Sequence, residues 1–285
     1  MNSKMTEKKK VFTTAPLPFM GQKRRFLKDF KAALKQYPSN AVYVDLFGGS
    51  GLLSHTVKNV YPDAEVVYND FDGYSERIKA IPNTNSIMAD LRELLHGQPK
   101  DKRITGVVKD AVIGRVAAEP GYVDYITLSS SLLFSMNYVQ SLDELKANTL
   151  YNCVRKNDYN ATGYLDGLTI VRKDYKELFA QYKDMANVVF LVDPPYLSTE
   201  SGTYKNYWKL GDYLDVLDVL KGKPYFYFTS NKSSILELCE WVETKTGGEN
   251  PFKGAEKMEI AMQMNHTSTY TDIMLHKQWT TSYSL

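Results

Sequence analysis

An unbroken apolar run, Val188–Val192, is followed at once by Asp193, Pro194, Pro195 and Tyr196. The run has the length and composition of a fully buried strand. Proline has no N–H to donate to a central ladder, so the two prolines end the strand and stiffen the backbone where it leaves the sheet. The sequence therefore predicts a carboxylate, a proline carbonyl and an aromatic ring presented together at the carboxyl edge of a sheet.

That edge is where open α/β sheets bind ligands. The Asp193 carboxylate and the Pro194 carbonyl are both hydrogen-bond acceptors, and the Tyr196 ring offers a stacking face. This combination suits a planar ligand with an exocyclic amino group, such as adenine. The structural alternative is a rigid strand exit with a solvated Asp193.

A second motif follows the short apolar strand predicted at 42–44 and leads into a helix predicted to end near Val60. Its residues are Asp45, Leu46, Phe47, Gly48, Gly49, Ser50 and Gly51. A strand, a glycine-rich loop and a helix bring a ligand close to backbone amides. The next strand, 65–68, leads to Asp70, which lies 19 residues after Gly51 and can accept both ribose hydroxyls of an adenosine. A tight turn followed by a solvated Asp70 is the alternative.

The net charge of +2 is unevenly distributed along the 285 residues. Residues 1–36 hold ten Lys or Arg against two acids, so they carry +8 and the remainder carries −6. A basic N-terminal segment on an otherwise acidic chain suggests a polyanionic partner, although a solubilising tail has the same composition. We expect residues 1–14 to be a disordered tail and 22–36 to form a helix. Gly21 precedes this helix, whose start could hold an anionic group.

Several classes of protein and site are disfavoured by the sequence. The two cysteines and four histidines show no metal-ligand or redox spacing, so no metal site is predicted. The N-terminus lacks the apolar segment of a signal peptide, and no stretch of about 18 apolar residues is present. We therefore expect a cytoplasmic protein.

Strands alternate with helices, and the chain ends in a predicted hairpin over 257–263 and 272–277. This pattern predicts an α/β fold with a mainly parallel sheet and an antiparallel edge. The alternation breaks over 97–165, which we interpret as an inserted, mostly helical subdomain with helices near 104–118 and 122–135. Its tract of Tyr, Asn and Lys suits contacts with phosphates and bases, and suits an ordinary long loop equally well. The catalytic domain then comprises 15–96 and 166–285.

These motifs together resemble those of Dam-type DNA adenine-N6 methyltransferases. The segment from Phe47 to Gly51 is similar to the family's Phe-x-Gly-x-Gly loop for S-adenosylmethionine. Asp193-Pro-Pro-Tyr196 matches the catalytic motif, and Asp174-Tyr175 resembles the pair that contacts the cofactor adenine. Residues 18–23 resemble the N-terminal cofactor motif, although Gln22 replaces its second glycine.

The resemblance implies a Rossmann-like methyltransferase sheet, S-adenosylmethionine as cofactor, double-stranded DNA as substrate and 97–165 as the target-recognition subdomain. A cognate restriction endonuclease is a possible partner. The implied catalytic residues are Asp193, Pro194, Pro195 and Tyr196. The implied cofactor-binding residues are Phe19, Gly21, Lys23, Asp45, Phe47, Gly48, Gly49, Ser50, Gly51, Asp70, Asp174, Tyr175 and Asp193. The insert lacks the asparagine- and glycine-rich hairpin common in enzymes that read GATC, so no target sequence is predicted.

Three alternatives stay open at this point. A methyltransferase could act on RNA adenine or on a protein amide, although amide-modifying relatives usually carry Asn in place of Asp193. A catalytically silent module could bind nucleic acid with the same fold. A dinucleotide-dependent oxidoreductase could share the glycine loop, but it would leave the sequence from Asp193 to Tyr196 unexplained.

Overall fold

The computed structural model describes residues 10–134, 137–196, 208–263 and 269–278. These residues form two compact units. The helical unit comprises residues 10–22 and Gly73–Tyr164, and the sheet unit comprises Lys23–Asp72 and the described residues from Leu165 onward.

The strands are β1 (Val42–Asp45), β2 (Glu65–Asn69), β3 (Arg103–Ile104), β4 (Leu150–Tyr151), β5 (Thr169–Val171), β6 (Val188–Val192), β7 (Tyr225–Ser230), β8 (Glu256–Gln263) and β9 (Thr269–Lys277). The α-helices are α1 (Leu27–Leu34), α2 (Leu52–Val60), α3 (Tyr74–Lys79), α4 (Ile81–Leu94), α5 (Gly106–Ala117), α6 (Tyr125–Leu132), α7 (Leu142–Ala147), α8 (Tyr175–Tyr182), α9 (Leu210–Leu220) and α10 (Ile235–Thr246).

The sheet unit is built on seven strands in the order β5-β2-β1-β6-β7-β9-β8. The first five run parallel, and β9 is antiparallel to both β7 and β8. The predicted α/β fold, with a mainly parallel sheet and an antiparallel edge hairpin, is therefore confirmed.

The central strand β6 is buried along its whole length because helices cover both faces of the sheet. Side chains alternate between the two faces of a strand. Val188, Phe190 and Val192 pack in the core formed with α8, α9 and α10. Val189 and Leu191 pack in the core formed with α1 and α2. Each such buried side chain stabilises the fold by about 1.5–3 kcal/mol, which fixes the strand that carries Asp193.

The helical unit has its own apolar core. Its members include Ile87, Met88, Leu91, Val112, Val116, Leu128, Leu132, Leu145 and Leu150. Because α4 packs with α5 in this core, the compact unit begins at Gly73 and not at the predicted boundary of 97. The predicted helices near 104–118 and 122–135 correspond to α5 and α6. The short helix α7 and the two-residue pair β3–β4 were not predicted.

The N-terminal segment of the helical unit is anchored by specific contacts. The ring of Phe12 is buried against Tyr164, with centroids 5.0 Å apart, so Phe12 anchors the described part of the predicted tail, whose other residues are exposed. Residues 1–9 of that tail lie outside the described residues. The buried Arg77 guanidinium lies 3.0 Å from the Asp124 carboxylate and donates to the Pro18 carbonyl at 2.8 Å.

The predicted first helix is shorter in the structure. The helix predicted over 22–36 is a 3-10 turn at Arg24–Phe26 followed by α1.

None of the helices within the described ranges is both long enough and apolar enough to span a bilayer.

Candidate active site

The parallel strands of the sheet unit end at one edge, where the predicted acids are carried. Asp45 is the last residue of β1, Asp70 follows β2, and Asp193 follows β6. Asn69 ties this edge together, because its side-chain amide donates to the Leu46 and Lys173 carbonyls at 3.0 and 2.9 Å. The side-chain carbonyl oxygen of Asn69 also accepts a hydrogen bond from the backbone N–H of Lys173 at 3.0 Å. Sequence reasoning missed Asn69, since both partners are remote in the chain.

The glycine loop is a tight turn that lies directly against β2. The Gly51 N–H donates to the Gly48 carbonyl at 2.7 Å, and Gly51 has a φ of +72°. A Cβ on Gly48 would lie 2.3 Å from the Tyr68 ring and 2.8 Å from the Asn69 carbonyl oxygen. Gly48 is therefore required for the close approach of the loop to β2, and helix α2 begins directly after Gly51.

Asp70 is buried beside this loop. The Tyr68 hydroxyl lies 2.8 Å from the Gly49 carbonyl oxygen and 3.0 Å from Oδ1 of Asp70, and it can donate to one of them at a time. The hydroxyl therefore links the acid to the loop, which is the placement that a ribose-binding acid needs. Sequence reasoning identified Asp70 but not Tyr68.

Asp45 is only 1% exposed. Its Oδ2 accepts from the Ser54 hydroxyl at 2.7 Å, whereas Oδ1 has no hydrogen-bond partner among the described residues. Burial raises the pKa of Asp45 to about 7, and the nearby negative charge of Asp193 acts in the same direction. The site thus contains a buried acceptor oxygen that the described residues do not satisfy.

Asp193 forms an ion pair with another predicted residue, Lys23. Its Oδ2 lies 2.6 Å from Nζ of Lys23, and both side chains are largely buried. The same Nζ lies 5.4 Å from the centroid of the Tyr196 ring. Burial raises the pKa of Asp193, the Lys23 ammonium opposes this rise, and Asp272 adds to it. The structure therefore brings Lys23, Asp193 and Tyr196 together.

An aromatic cluster lies at the same edge, around predicted residues. The Tyr175 ring lies 4.9 Å from that of Phe47 and stacks on Trp208 at 5.7 Å. Trp208 also contacts Tyr213, whose hydroxyl donates to the Tyr196 carbonyl at 3.3 Å. Tyr204 and Tyr207, which we also expected over the site, lie outside the described residues.

Asp174 has a structural role that the sequence analysis did not include. Its side chain caps the N-terminus of α8, with Oδ1 accepting from the Lys176 N–H at 2.8 Å. This cap fixes the start of the helix that carries Tyr175, so the predicted pair of Asp174 and Tyr175 is locally ordered.

Two predicted cofactor residues belong to the helical unit. The Phe19 ring packs edge-on against Tyr74 at 5.7 Å, and Gly21 has a φ of +81° with open space where a Cβ would lie. The Gln22 side chain accepts from the Ala15 N–H at 3.0 Å. The roles of Phe19 and Gly21 toward a cofactor stay predictions.

Residues 19–215 match the family described as D12 class N6 adenine-specific DNA methyltransferase. The chain belongs to this family. The match includes the glycine loop, Asp70, the helical residues from Gly73 to Tyr164 and the sequence Asp193–Tyr196. The resemblance drawn from the motifs is thus confirmed for this D12 class methyltransferase.

A protein of Haemophilus influenzae strain Rd, named "Putative methyltransferase", is 38% identical over 286 residues, covering 97% of this chain and 96% of that protein. Two solved structures are more distant, each 11% identical. A precorrin-6y C5,15-methyltransferase from Geobacter metallireducens has a TM-score of 0.36 and covers 94% of this chain and all of its own. An rRNA methylase from Streptococcus thermophilus has a TM-score of 0.34, with 92% and 100% covered. A likeness at this level says nothing about substrate.

Proposed function

We propose that the protein transfers a methyl group from S-adenosylmethionine to the exocyclic N6 amine of adenine in double-stranded DNA. The observation that carries the proposal is the contact of Asp193 with Lys23 beside the Tyr196 ring, at the end of the central strand. The chain's membership of an adenine-specific DNA methyltransferase family supports the same substrate.

The residues at the strand edge fit the implied cofactor. When bound, S-adenosylmethionine supplies an electrophilic methyl group on a positively charged sulfur. Asp70, which contacts the Tyr68 hydroxyl beside the glycine loop, would accept the ribose hydroxyls, and the cluster around Tyr175 would offer apolar surface to the adenine ring. The unsatisfied Oδ1 of Asp45 is a buried acceptor near Asp193, and Lys23 suits the methionine carboxylate. The edge therefore provides hydrogen-bond acceptors, apolar surface and a cation, which are the groups that this cofactor requires.

Asp193 and the Pro194 carbonyl would act on the target amine. The lone pair of adenine N6 is delocalised into the ring, so the amine is a poor nucleophile. Two acceptors that take its N–H bonds favour a more tetrahedral nitrogen and hold it in position. A carboxylate beside this nitrogen also stabilises the positive charge that develops there. Because burial raises the pKa of Asp193, the carboxylate has little competing solvation, and its charge acts strongly on the nitrogen.

Tyr196 would receive the target base. A base inside a duplex must be flipped out before a side chain can reach its amine, which costs a few kcal/mol. Stacking on an aromatic side chain returns roughly 1–3 kcal/mol per base. The Tyr213 hydroxyl of α9 donates to the Tyr196 carbonyl, which holds the Tyr196 backbone against that helix.

Incubation with methyl-labelled S-adenosylmethionine and unmethylated genomic DNA tests this proposal. Nucleoside analysis should find the label in N6-methyladenine, and methylation-aware sequencing of the same DNA should place it at a defined site. A parallel incubation with RNA distinguishes the other adenine substrate. Label in cytosine, in RNA alone, or in neither nucleic acid would contradict the proposal.

A further inference from the structure

Tyr68 lies between the glycine loop and Asp70, and the proposed function gives it no role. It is fully buried on β2, where its register partner is Asp45, the last residue of β1. The chain that leaves Asp45 turns back against the Tyr68 ring. A Cβ on Gly48 would lie 2.3 Å from that ring, and a Cβ on Gly51 would lie 3.4 Å from its Cζ atom. The glycine loop and the ring are thus packed in direct contact.

The hydroxyl of Tyr68 is the polar group at this contact. It lies 3.0 Å from Oδ1 of Asp70 and 2.8 Å from the Gly49 carbonyl oxygen, so the two acceptors share one donor. The backbone of Asp70 is held by the neighbouring strand, since its N–H donates to the Val171 carbonyl of β5 at 2.8 Å. The backbone contact fixes the position of Asp70, and the hydroxyl contact orients its carboxylate.

A ribose diol requires a carboxylate that is oriented in this way. The sugar ring holds its two hydroxyls in a fixed relation, so one carboxylate can accept from both only in a restricted orientation. Each carboxylate oxygen has two lone pairs, so Oδ1 of Asp70 can accept from the Tyr68 hydroxyl and from a ribose hydroxyl at once. Hydrogen bonds to an ionised acceptor are roughly twice as strong as neutral ones, so their geometry matters for affinity. Without the Tyr68 hydroxyl the carboxylate could turn, and the diol would be held by fewer bonds.

We propose that Tyr68 is a positioning residue for the cofactor ribose: its hydroxyl holds the Asp70 carboxylate in the orientation that accepts both hydroxyls of the diol. The inference rests on the proposed function, from which it takes S-adenosylmethionine as the ligand. Tyr68 is not expected to touch the cofactor, because its side chain is fully buried against the glycine loop. Its effect therefore passes through Asp70 and is confined to ligands that carry the diol.

The test is calorimetric binding of two ligands to the full chain in the absence of DNA. The ligands are S-adenosylhomocysteine and its 2′,3′-dideoxy analogue, which lacks the diol. Tyr68→Phe keeps the buried ring and removes only the hydroxyl. It should bind S-adenosylhomocysteine about tenfold more weakly, whereas its affinity for the dideoxy analogue should change less than about twofold. In an Asp70→Ala background the same substitution should change S-adenosylhomocysteine affinity less than about twofold, because the carboxylate that it orients is absent.

Tyr43→Phe is the matched control. Tyr43 is also fully buried, lies on the adjacent strand β1, and donates its hydroxyl to the Pro38 carbonyl at 2.8 Å. This variant loses one buried hydrogen bond away from the glycine loop, and it should bind both ligands like the parent. An equal loss of affinity for both ligands in Tyr68→Phe would overturn the inference, since the hydroxyl would then only stabilise the loop. A parent-like affinity of Tyr68→Phe for S-adenosylhomocysteine would overturn it as well.

Asp70→Glu provides a second test that does not depend on the folding of Tyr68→Phe. It keeps the charge but moves the carboxylate by one methylene from the position beside the hydroxyl. Its preference for S-adenosylhomocysteine over the dideoxy analogue should therefore fall, and an undiminished preference would count against the inference.

The binding assay also separates this inference from the proposed function. A parent protein that shows the expected ligand pattern but methylates no adenine would contradict the proposed substrate while supporting the role of Tyr68. A parent that methylates adenine, with a Tyr68→Phe variant that keeps the full preference for the diol, would support the proposed function and overturn the inference. A parent that binds neither ligand would contradict both.

Discussion

Replacing Asp45 with asparagine should make the fold more stable, and increasingly so as the pH rises. The side chain is 1% exposed, and burial raises its pKa from 3.8 to about 7. Between these two values the folded state binds a proton that the unfolded state has released. The ionisation of Asp45 therefore lowers the free energy of unfolding as the pH rises from about 4 to about 7. This loss is complete above the pKa that Asp45 has in the folded state.

The expected change in unfolding free energy follows from the size of the shift in the pKa of Asp45. At about 1.4 kcal/mol per pKa unit, the full cost of holding the Asp45 carboxylate in the fold is about 4 kcal/mol. An asparagine side chain would keep the shape and an acceptor for the Ser54 hydroxyl, which lies 2.7 Å from the carboxylate, but would not titrate. We expect the gain in unfolding free energy of Asp45→Asn over the parent to be about 2–3 kcal/mol larger at pH 8 than at pH 5.

Urea unfolding of both proteins, followed by circular dichroism at the two pH values, measures this difference. The control is Asp63→Asn, which removes an acid from an exposed position of the same unit and should show no such dependence on pH. A gain that is equal at pH 5 and pH 8, or a less stable Asp45→Asn protein at pH 8, would refute the reasoning. The Asp45 charge would then be compensated in the folded state.

Three further predictions concern ligands. Asp70→Ala should weaken S-adenosylmethionine binding at least about tenfold by calorimetry, as for a lost charge-assisted hydrogen bond, and unchanged affinity in the folded variant would exclude the ribose role. Reversing the charges of Lys100, Lys102 and Arg103, all exposed on the helical unit, should make the log–log salt dependence of DNA binding shallower by about 0.9 for each phosphate that these side chains neutralise. An unaltered slope would mean that this segment does not lie on the DNA backbone. Tyr196→Phe should retain most activity, whereas Tyr196→Ala should weaken both DNA binding and turnover; equal effects of the two would argue against stacking.

Sequence patterns were sufficient for the features that are encoded locally. The apolar run ending at Asp193 predicted the central strand, and the glycines before α2 predicted the loop beside Asp70. The positive φ of Gly51 is a conformation that glycine adopts readily, so it is encoded by the same glycine-rich sequence. These features depend on composition and periodicity, which a sequence displays directly.

Contacts between remote segments were beyond sequence reasoning. Asn69 joins β2 to Lys173, a partner 104 residues away, and Asp272 lies two strands from the strand that leads to Asp193 only because β9 pairs with β7. The boundary of the helical unit was missed for a related reason, because the apolar stripe of α4 does not show which core it joins. The pair β3–β4 consists of two-residue strands, which are too short to produce a periodic pattern.

The central claim is that the Asp193 carboxylate promotes methyl transfer to adenine. The most direct measurement compares Asp193→Ala with the parent in methylation of a substrate duplex, at saturating cofactor because Asp193 lies beside the cofactor's expected position. The account predicts a folded variant that binds DNA with a KM within a few-fold of the parent, and a kcat lower by about a hundredfold or more. A variant that methylates adenine at close to the parent rate, or a parent whose methylated product is cytosine, would contradict it.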